Sequence, residues 1–193
     1  MRDQEGPRPG RPRQADVSGR ILTAARELIA ARSWERISLD EVATRAGVAK
    51  TTLYRRWRSK DELAVATLEH ALGPLPAATS VRAAVGWLAE RVRDPGTRHV
   101  LVTLTSLSAR DPDLRTMLRS RLRDPYVASL RDEQATREAS ATLAFDLVVG
   151  TLLHRAAMTG GITDGDVADV SDVAEQLMSP AADLPSRDAA GAP

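Results

Sequence analysis

Gly47-Val48-Ala49-Lys50-Thr51-Thr52-Leu53-Tyr54-Arg55-Arg56-Trp57-Arg58-Ser59-Lys60 sets a turn glycine beside a short, cation-rich segment. Ala49, Leu53 and Trp57 recur at four-residue spacing. That spacing predicts a helix from about Lys50 to Trp57 with those three pointing inward. Thr51, Thr52 and Arg55 then fall on the opposite side, with Lys50, Tyr54 and Arg56 on the flanks. Two short hydroxyls allow close approach of the backbone. The cations supply charge-assisted hydrogen bonds to phosphates or guanine edges.

The flanks fix where this helix starts and stops. Ser38-Leu39-Asp40-Glu41 reads as a capping box, and Ser59-Lys60-Asp61-Glu62 as a second one. Between them Leu39, Val42, Ala43 and Ala46 form an apolar stripe, which Gly47 ends because glycine tolerates positive φ. A longer helix from about Val17 to Arg32 precedes them, with Ile21, Leu22, Ala25, Leu28 and Ile29 on one face. Trp34 and Ile37 plug the resulting bundle, and another helix follows to roughly Ala71. Helix, glycine turn, helix between two caps is the pattern of a helix-turn-helix.

Residues 38–60 resemble, nearly position by position, the tetracycline-repressor (TetR) family of bacterial regulators, and the resemblance extends over about 17–72. It rests on the glycine, the Leu53-Tyr54 pair, the aromatic Trp57 and the Ser59-Lys60 cap. It implies DNA contacts by Ser38, Lys50, Thr51, Thr52, Tyr54, Arg55, Arg56 and Lys60. Thr51, Thr52 and Arg55 would face base edges, and the others would position on phosphates. Ala49 stands where serine is common, and Arg55-Arg56 replaces a common aromatic/His pair. Arg45 reads either as a phosphate contact or as a surface arginine.

Bulk composition agrees with a helical chain. Of 193 residues 42% are hydrophobic and only 3% aromatic, so the core is built from Ala, Leu and Val. There is no cysteine, which excludes disulfides and thiolate metal sites. Residues 1–60 hold 14 Lys and Arg against 7 Asp and Glu, whereas 61–193 hold 13 against 19. A basic front and an acidic back suit a nucleic-acid module joined to a different one; two ordinary solvated surfaces would give the same count. Residues 1–15 have almost no apolar residue and read as a disordered basic arm. Its Pro7-Arg8-Pro9-Gly10-Arg11-Pro12-Arg13 run resembles an AT-hook, which would put Arg11 and Arg13 in an A·T-rich minor groove. No signal peptide is visible and no apolar run approaches the ~18–20 residues that span a bilayer. A cytoplasmic protein without membrane contact is expected.

Beyond Gly73-Pro74-Leu75-Pro76 the periodicity predicts helices over about 81–93, 97–109 and 112–123, the last broken at Asp124-Pro125. A polar stretch spans 131–139. An apolar helix over about 138–159 and a last helix opened by Thr163-Asp164-Gly165-Asp166 follow. Gly150, in the middle of the apolar helix, points to a neighbouring backbone approaching closely. Arg110-Asp111-Pro112-Asp113-Leu114-Arg115 and Thr159-Gly160-Gly161 resemble one subgroup of the same family. The resemblance implies a small-molecule pocket with Trp87, His99, Leu104, Met117, Phe145 and His154 as candidate liners. It also implies a homodimer packed through Leu147, Leu152, Leu153, Val170, Val173 and Leu177. Taken alone, each pocket candidate reads more readily as core, and the periodicity of the interface candidates says only that they are buried somewhere.

The expected architecture is all-α, with about nine helices. A basic arm (1–15) precedes a three-helix DNA-binding domain (16–72), a helical effector and dimerisation domain (73–179) and a disordered tail (180–193). No phosphate-binding loop, nucleophile elbow or HExxH motif is present, and the three histidines lack metal-site spacing. No enzyme, cofactor or metal is therefore expected. The expected partners are double-stranded DNA, a small-molecule effector and a second copy of the chain. The expected role is repression at a palindromic operator, relieved by the effector. The alternative is an activator, or a regulator answering to a protein partner.

Overall fold

The computed structural model describes residues 14–74, 80–130 and 138–179. Arg11 and Arg13 with the AT-hook-like arm, the linker at 75–79, the polar stretch at 131–137 and the tail from 180 lie outside them. Among the described residues there are ten α-helical segments and no strand. They are α1 (Gln14–Ala31), α2 (Leu39–Arg45), α3 (Lys50–Tyr54), α4 (Lys60–Leu72), α5 (Val81–Arg93), α6 (Pro95–Ser108), α7 (Pro112–Leu118), α8 (Asp124–Ser129), α9 (Glu138–Thr159) and α10 (Asp164–Met178). A 3₁₀ turn at Trp34–Arg36 links α1 to α2. A π-turn at Arg119–Arg123 runs α7 directly into α8, so the ten segments make nine rods.

The apolar stripes bury as their spacing demands. Ile21, Ala25, Leu28 and Ile29 of α1 close on Val42, Leu53, Leu63 and Leu68, with Trp34 and Ile37 sealing one end. The cluster does not stop at the end of α4, where Gly73 sits at φ 73°. It continues through Val85, Val92, Val100, Leu104, Val148 and Leu152 to Ala174. α1 and α4 both pack on α6, and α10 packs on α9 and α5. A shift among the later helices therefore bears directly on the helices that hold α3.

Several expectations need correction. Ser38 accepts from the Glu41 amide at 3.1 Å and Ser59 from the Glu62 amide at 3.0 Å. The glutamate halves of both boxes are diverted, Glu41 to Arg32 at 2.8 Å and Glu62 to the Arg58 amide at 2.7 Å. The full reciprocal box forms instead at Thr163 and Asp166. Ala49 is exposed, not inward. It is the N-cap of α3, with extended backbone at φ −65° and ψ 140°, and so lies outside the helical phase. α3 ends at Tyr54, yet the Trp57 amide still donates to the Leu53 carbonyl at 3.1 Å and Trp57 is buried.

Asp94-Pro95-Gly96 is not a separate turn. Asp94 caps α6 by accepting from the Thr97 amide at 2.8 Å, with Pro95 in the first turn, where its missing N–H costs nothing. Asp124-Pro125 does not break the chain either. The π-turn routes the Asp124 amide to the Arg119 carbonyl, and the widened ladder accommodates a proline that an α-helix interior would reject. Ser140–Thr159 of α9 is, at mean hydropathy 1.2, long and apolar enough by composition to cross a bilayer. Here Ala144, Val148, Leu152 and Ala156 instead supply one face to the core.

Candidate functional site

α3 is presented by its neighbours. Leu53 is fully enclosed beneath it, and Gly47 at φ 64° turns the chain between α2 and α3. Thr51 and Arg55 face solvent, Thr52 is half-exposed and Tyr54 is 48% exposed. The Arg55 guanidinium has no hydrogen-bond or ion-pair partner among the described residues. The other candidate contacts are held in place. Lys50 pairs with the Asp40 carboxylate, and the Tyr54 hydroxyl donates to Asp40 Oδ1 at 3.3 Å. That pairing holds the Asp40 carboxyl below its ordinary range and raises the Lys50 ammonium.

Two more cations turn toward the protein. Arg56 donates to the Ser18 hydroxyl at 3.0 Å, which pins α3 to α1. Lys60 donates to the Trp34 carbonyl, and its ammonium lies 4.4 Å from the Trp34 ring centroid. Partial burial lowers the Lys60 pKa. The Ser38 hydroxyl is occupied in capping α2. Arg45 donates twice to Glu27, at 2.8 and 3.0 Å, as a surface pair. Of the candidate contacts, Thr51, Thr52 and Arg55 are thus the side chains left open to solvent. Asp40 was missed in the sequence, where it reads as an ordinary first-turn carboxylate of α2. Its part is set by the Gly47 turn, which brings residues ten and fourteen positions later back beside it.

A cavity of about 290 Å³ opens among α5, α6, the π-turn, α8 and α9. Trp87 and Phe145 line it, as the resemblance implies, together with Tyr126, which the sequence reading passed over. The other candidates lie elsewhere. His99 lines a separate depression with Ala30, Leu153 and Ala157; Leu104 is enclosed in the core, Met117 packs against that core, and His154 is exposed on α9. Trp87 and Tyr126 have ring centroids 5.5 Å apart, and Tyr126 and Phe145 6.3 Å. Burial raises the Tyr126 phenol pKa.

Of the interface candidates, Leu152 and Val170 are enclosed by the chain itself, at 0% and 5% exposure. Leu147, Leu153, Val173 and Leu177 keep accessible surface. Leu143, Leu147, Gly150, His154 and Met158 share the outward side of α9 by helical phase, and Met158 is 70% exposed. A Cβ added at Gly150 would meet nothing within 4 Å, so no backbone among the described residues gives that glycine its reason.

Residues 21–67 match the family model described as "Bacterial regulatory proteins, tetR family". The chain is 48% identical over 44 residues to the uncharacterized HTH-type transcriptional regulator Rv2250c of Mycobacterium tuberculosis, covering 23% of each chain. It is 40% identical over 52 residues to the DNA-binding transcriptional repressor TetR of Mycobacteroides abscessus, covering 27% of each. These matches thus span about a quarter of the curated relatives. The likeness in three dimensions is broader. A TetR transcriptional regulator from Rhodococcus sp. RHA1 superposes with a TM-score of 0.55 at 26% identity, over 86% of this chain and 96% of that one. The relatives are transcriptional regulators and not enzymes.

Proposed function

We propose, since the chain belongs to the tetR family of bacterial regulatory proteins, that it is a dimeric DNA-binding transcriptional regulator released from its operator by a small molecule. The observation that carries this is the outward face of α3, where Thr51, Thr52 and Arg55 stand free above a helix anchored by Leu53 and Arg56. A DNA-binding unit over 16–72 would place α3 in the major groove. Lys50, Tyr54, Arg56, Lys60 and Ser38 would position it on phosphates, and Arg11 and Arg13 would reach the adjacent minor groove.

One copy of so short a helix grips few base pairs. The exposed apolar side of α9, with Val173 and Leu177 of α10, supports a two-fold packing of two copies, and Gly150 allows the helices to approach closely. The cavity over 73–179 is the proposed effector site. Repression is the role the Mycobacteroides relative is named for, and we extend it to this chain, as occlusion of a promoter. A DNA partner supports a cytoplasmic location for the protein. Fluorescence anisotropy with an operator duplex tests the reading: saturable binding at two chains per duplex supports it, and binding indifferent to sequence overturns it.

A further inference from the structure

The cavity's wall states what kind of molecule fits it. The chain has six aromatic side chains, and Trp34, Tyr54 and Trp57 serve the DNA-binding unit. The other three, Trp87, Tyr126 and Phe145, all line this one cavity. Trp87 and Tyr126 are tilted by 39°, whereas Tyr126 and Phe145 are within 19° of parallel, so two flat faces run alongside each other. Arg91 covers Trp87 with its guanidinium carbon 4.8 Å from the ring centroid, and is held there by the Leu72 carbonyl at 3.1 Å. The aromatic wall is therefore braced from behind.

The charged groups at the cavity are paired or face water. Arg123 donates to both oxygens of Asp146, at 3.1 and 3.0 Å, and Arg115 donates to the Ser108 carbonyl at 3.0 Å. Arg119 is exposed to water. An ionised ligand would lose hydration without meeting an unpaired buried counter-charge. The Tyr126 hydroxyl, by contrast, has no hydrogen-bond partner among the described residues. It can donate or accept one bond with a neutral polar group.

We infer that the cavity takes a neutral, planar ring compound of roughly two fused rings, carrying about one polar substituent. This deepens the effector reading and rests on it. A flexible aliphatic chain fills the same volume without using the parallel ring faces. An organic anion matches the rings, but the guanidiniums it could meet outside the Arg123–Asp146 pair, Arg115 and Arg119, are exposed to water.

The test titrates the full chain by calorimetry with three probes of similar bulk: 2-naphthol (planar, neutral), 2-naphthalenesulfonate (planar, anionic) and 1-decanol (flexible, neutral). The structure predicts that 2-naphthol binds about tenfold or more tighter than either of the others. Phe145→Leu should weaken 2-naphthol about two- to tenfold, the share of one ring pair, and leave 1-decanol unchanged. Trp87→Leu should do the same; should that variant not fold, Phe145→Leu carries the test alone because its side chain is only half-buried. Equal or tighter binding of 1-decanol or the sulfonate, no binding by any probe, or an unaltered affinity in Phe145→Leu overturns the inference. Operator affinity is read in parallel. Binding of 2-naphthol with no change in DNA affinity keeps the ligand class and removes the effector reading; loss of DNA affinity upon binding supports both.

Discussion

Arg121 grips Glu69 with two parallel donors, Nε reaching Oε1 at 2.8 Å and the terminal nitrogen reaching Oε2. Arg121 belongs to the π-turn whose neighbours Arg119, Leu122 and Arg123 line the cavity, and Glu69 belongs to α4, the helix that leaves the DNA-binding unit. A fork-to-fork pair is directional, so a displacement of the π-turn is passed to α4 rather than absorbed. Arg121→Gln should keep operator binding within about twofold, because both partners are a third exposed and such pairs add only ~0–1 kcal/mol to stability. It should blunt ligand-induced release. The check is the ratio of operator affinities with and without 2-naphthol, which should fall toward one.

Arg55 and Lys60 should separate cleanly. Arg55→Ala removes an exposed side chain without partners and should leave the melting temperature unchanged. It should cost about 1–3 kcal/mol of binding and relax preference at one base position. Lys60→Ala removes the ammonium over Trp34 and should lower stability by ~0.5–1 kcal/mol, while weakening all DNA sequences evenly. Competition binding against single-base operator variants, with thermal melts alongside, measures both.

Asp40 holds Lys50 and Tyr54, and on DNA it would compete with phosphate for them. Asp40→Asn frees the lysine and removes one negative charge from the DNA-facing side. Affinity should rise several-fold, and the slope of log K against log salt should steepen by ~0.9, equivalent to one added phosphate contact. An unchanged slope with weaker binding would instead make Asp40 the residue that orients the lysine for DNA.

Asp94 joins α1 to α6. It accepts from Arg26 of α1 at 2.7 Å while capping α6 through Thr97. The Thr97 bonds, then Arg26, hold its carboxyl below the usual aspartate value. A depressed folded-state pKa stabilises above the unfolded value, ~3.9, and that stabilisation is lost as pH falls through the folded one. Asp94→Ala should therefore cost about 1–2 kcal/mol at pH 7. The gap to the parent chain should close progressively below pH ~4, as followed by urea melts across pH.

The outward side of α9 and α10 gives a contrast between two valines. Val173→Asp, at a 43% exposed site, should leave helicity intact and shift sedimentation from dimer to monomer. Val170→Asp, at a buried site, should unfold the chain because it buries an unpaired charge.

How much of this was legible in the sequence follows from what each signal measures. Ser38, Ser59, Gly47 and the stripe Ile21–Ile29 are local and periodic, and they fixed the DNA-binding unit. Ala49 misled because a cap residue stands next to a helix without obeying its period. Asp124-Pro125 misled because proline excludes an α-ladder but not a π-turn, and with that break Tyr126 was lost as a cavity liner. Leu104, Leu152 and Val170 show the limit of apolar spacing: it says that a side is buried, not whether by this chain, a ligand or a second copy. Asp40 with Lys50 and Glu69 with Arg121 are contacts across turns and between helices, which no window along the chain displays.

If two copies of α3 read one site together, selection of bound sequences from a random duplex pool by the full chain will enrich an inverted repeat. Its half-site centres should lie about one helical turn, ~10 base pairs, or a multiple of it apart, and each half should lose one defined base preference with Arg55→Ala. Enrichment of a single unrepeated motif, or of no motif at all, would contradict that joint reading.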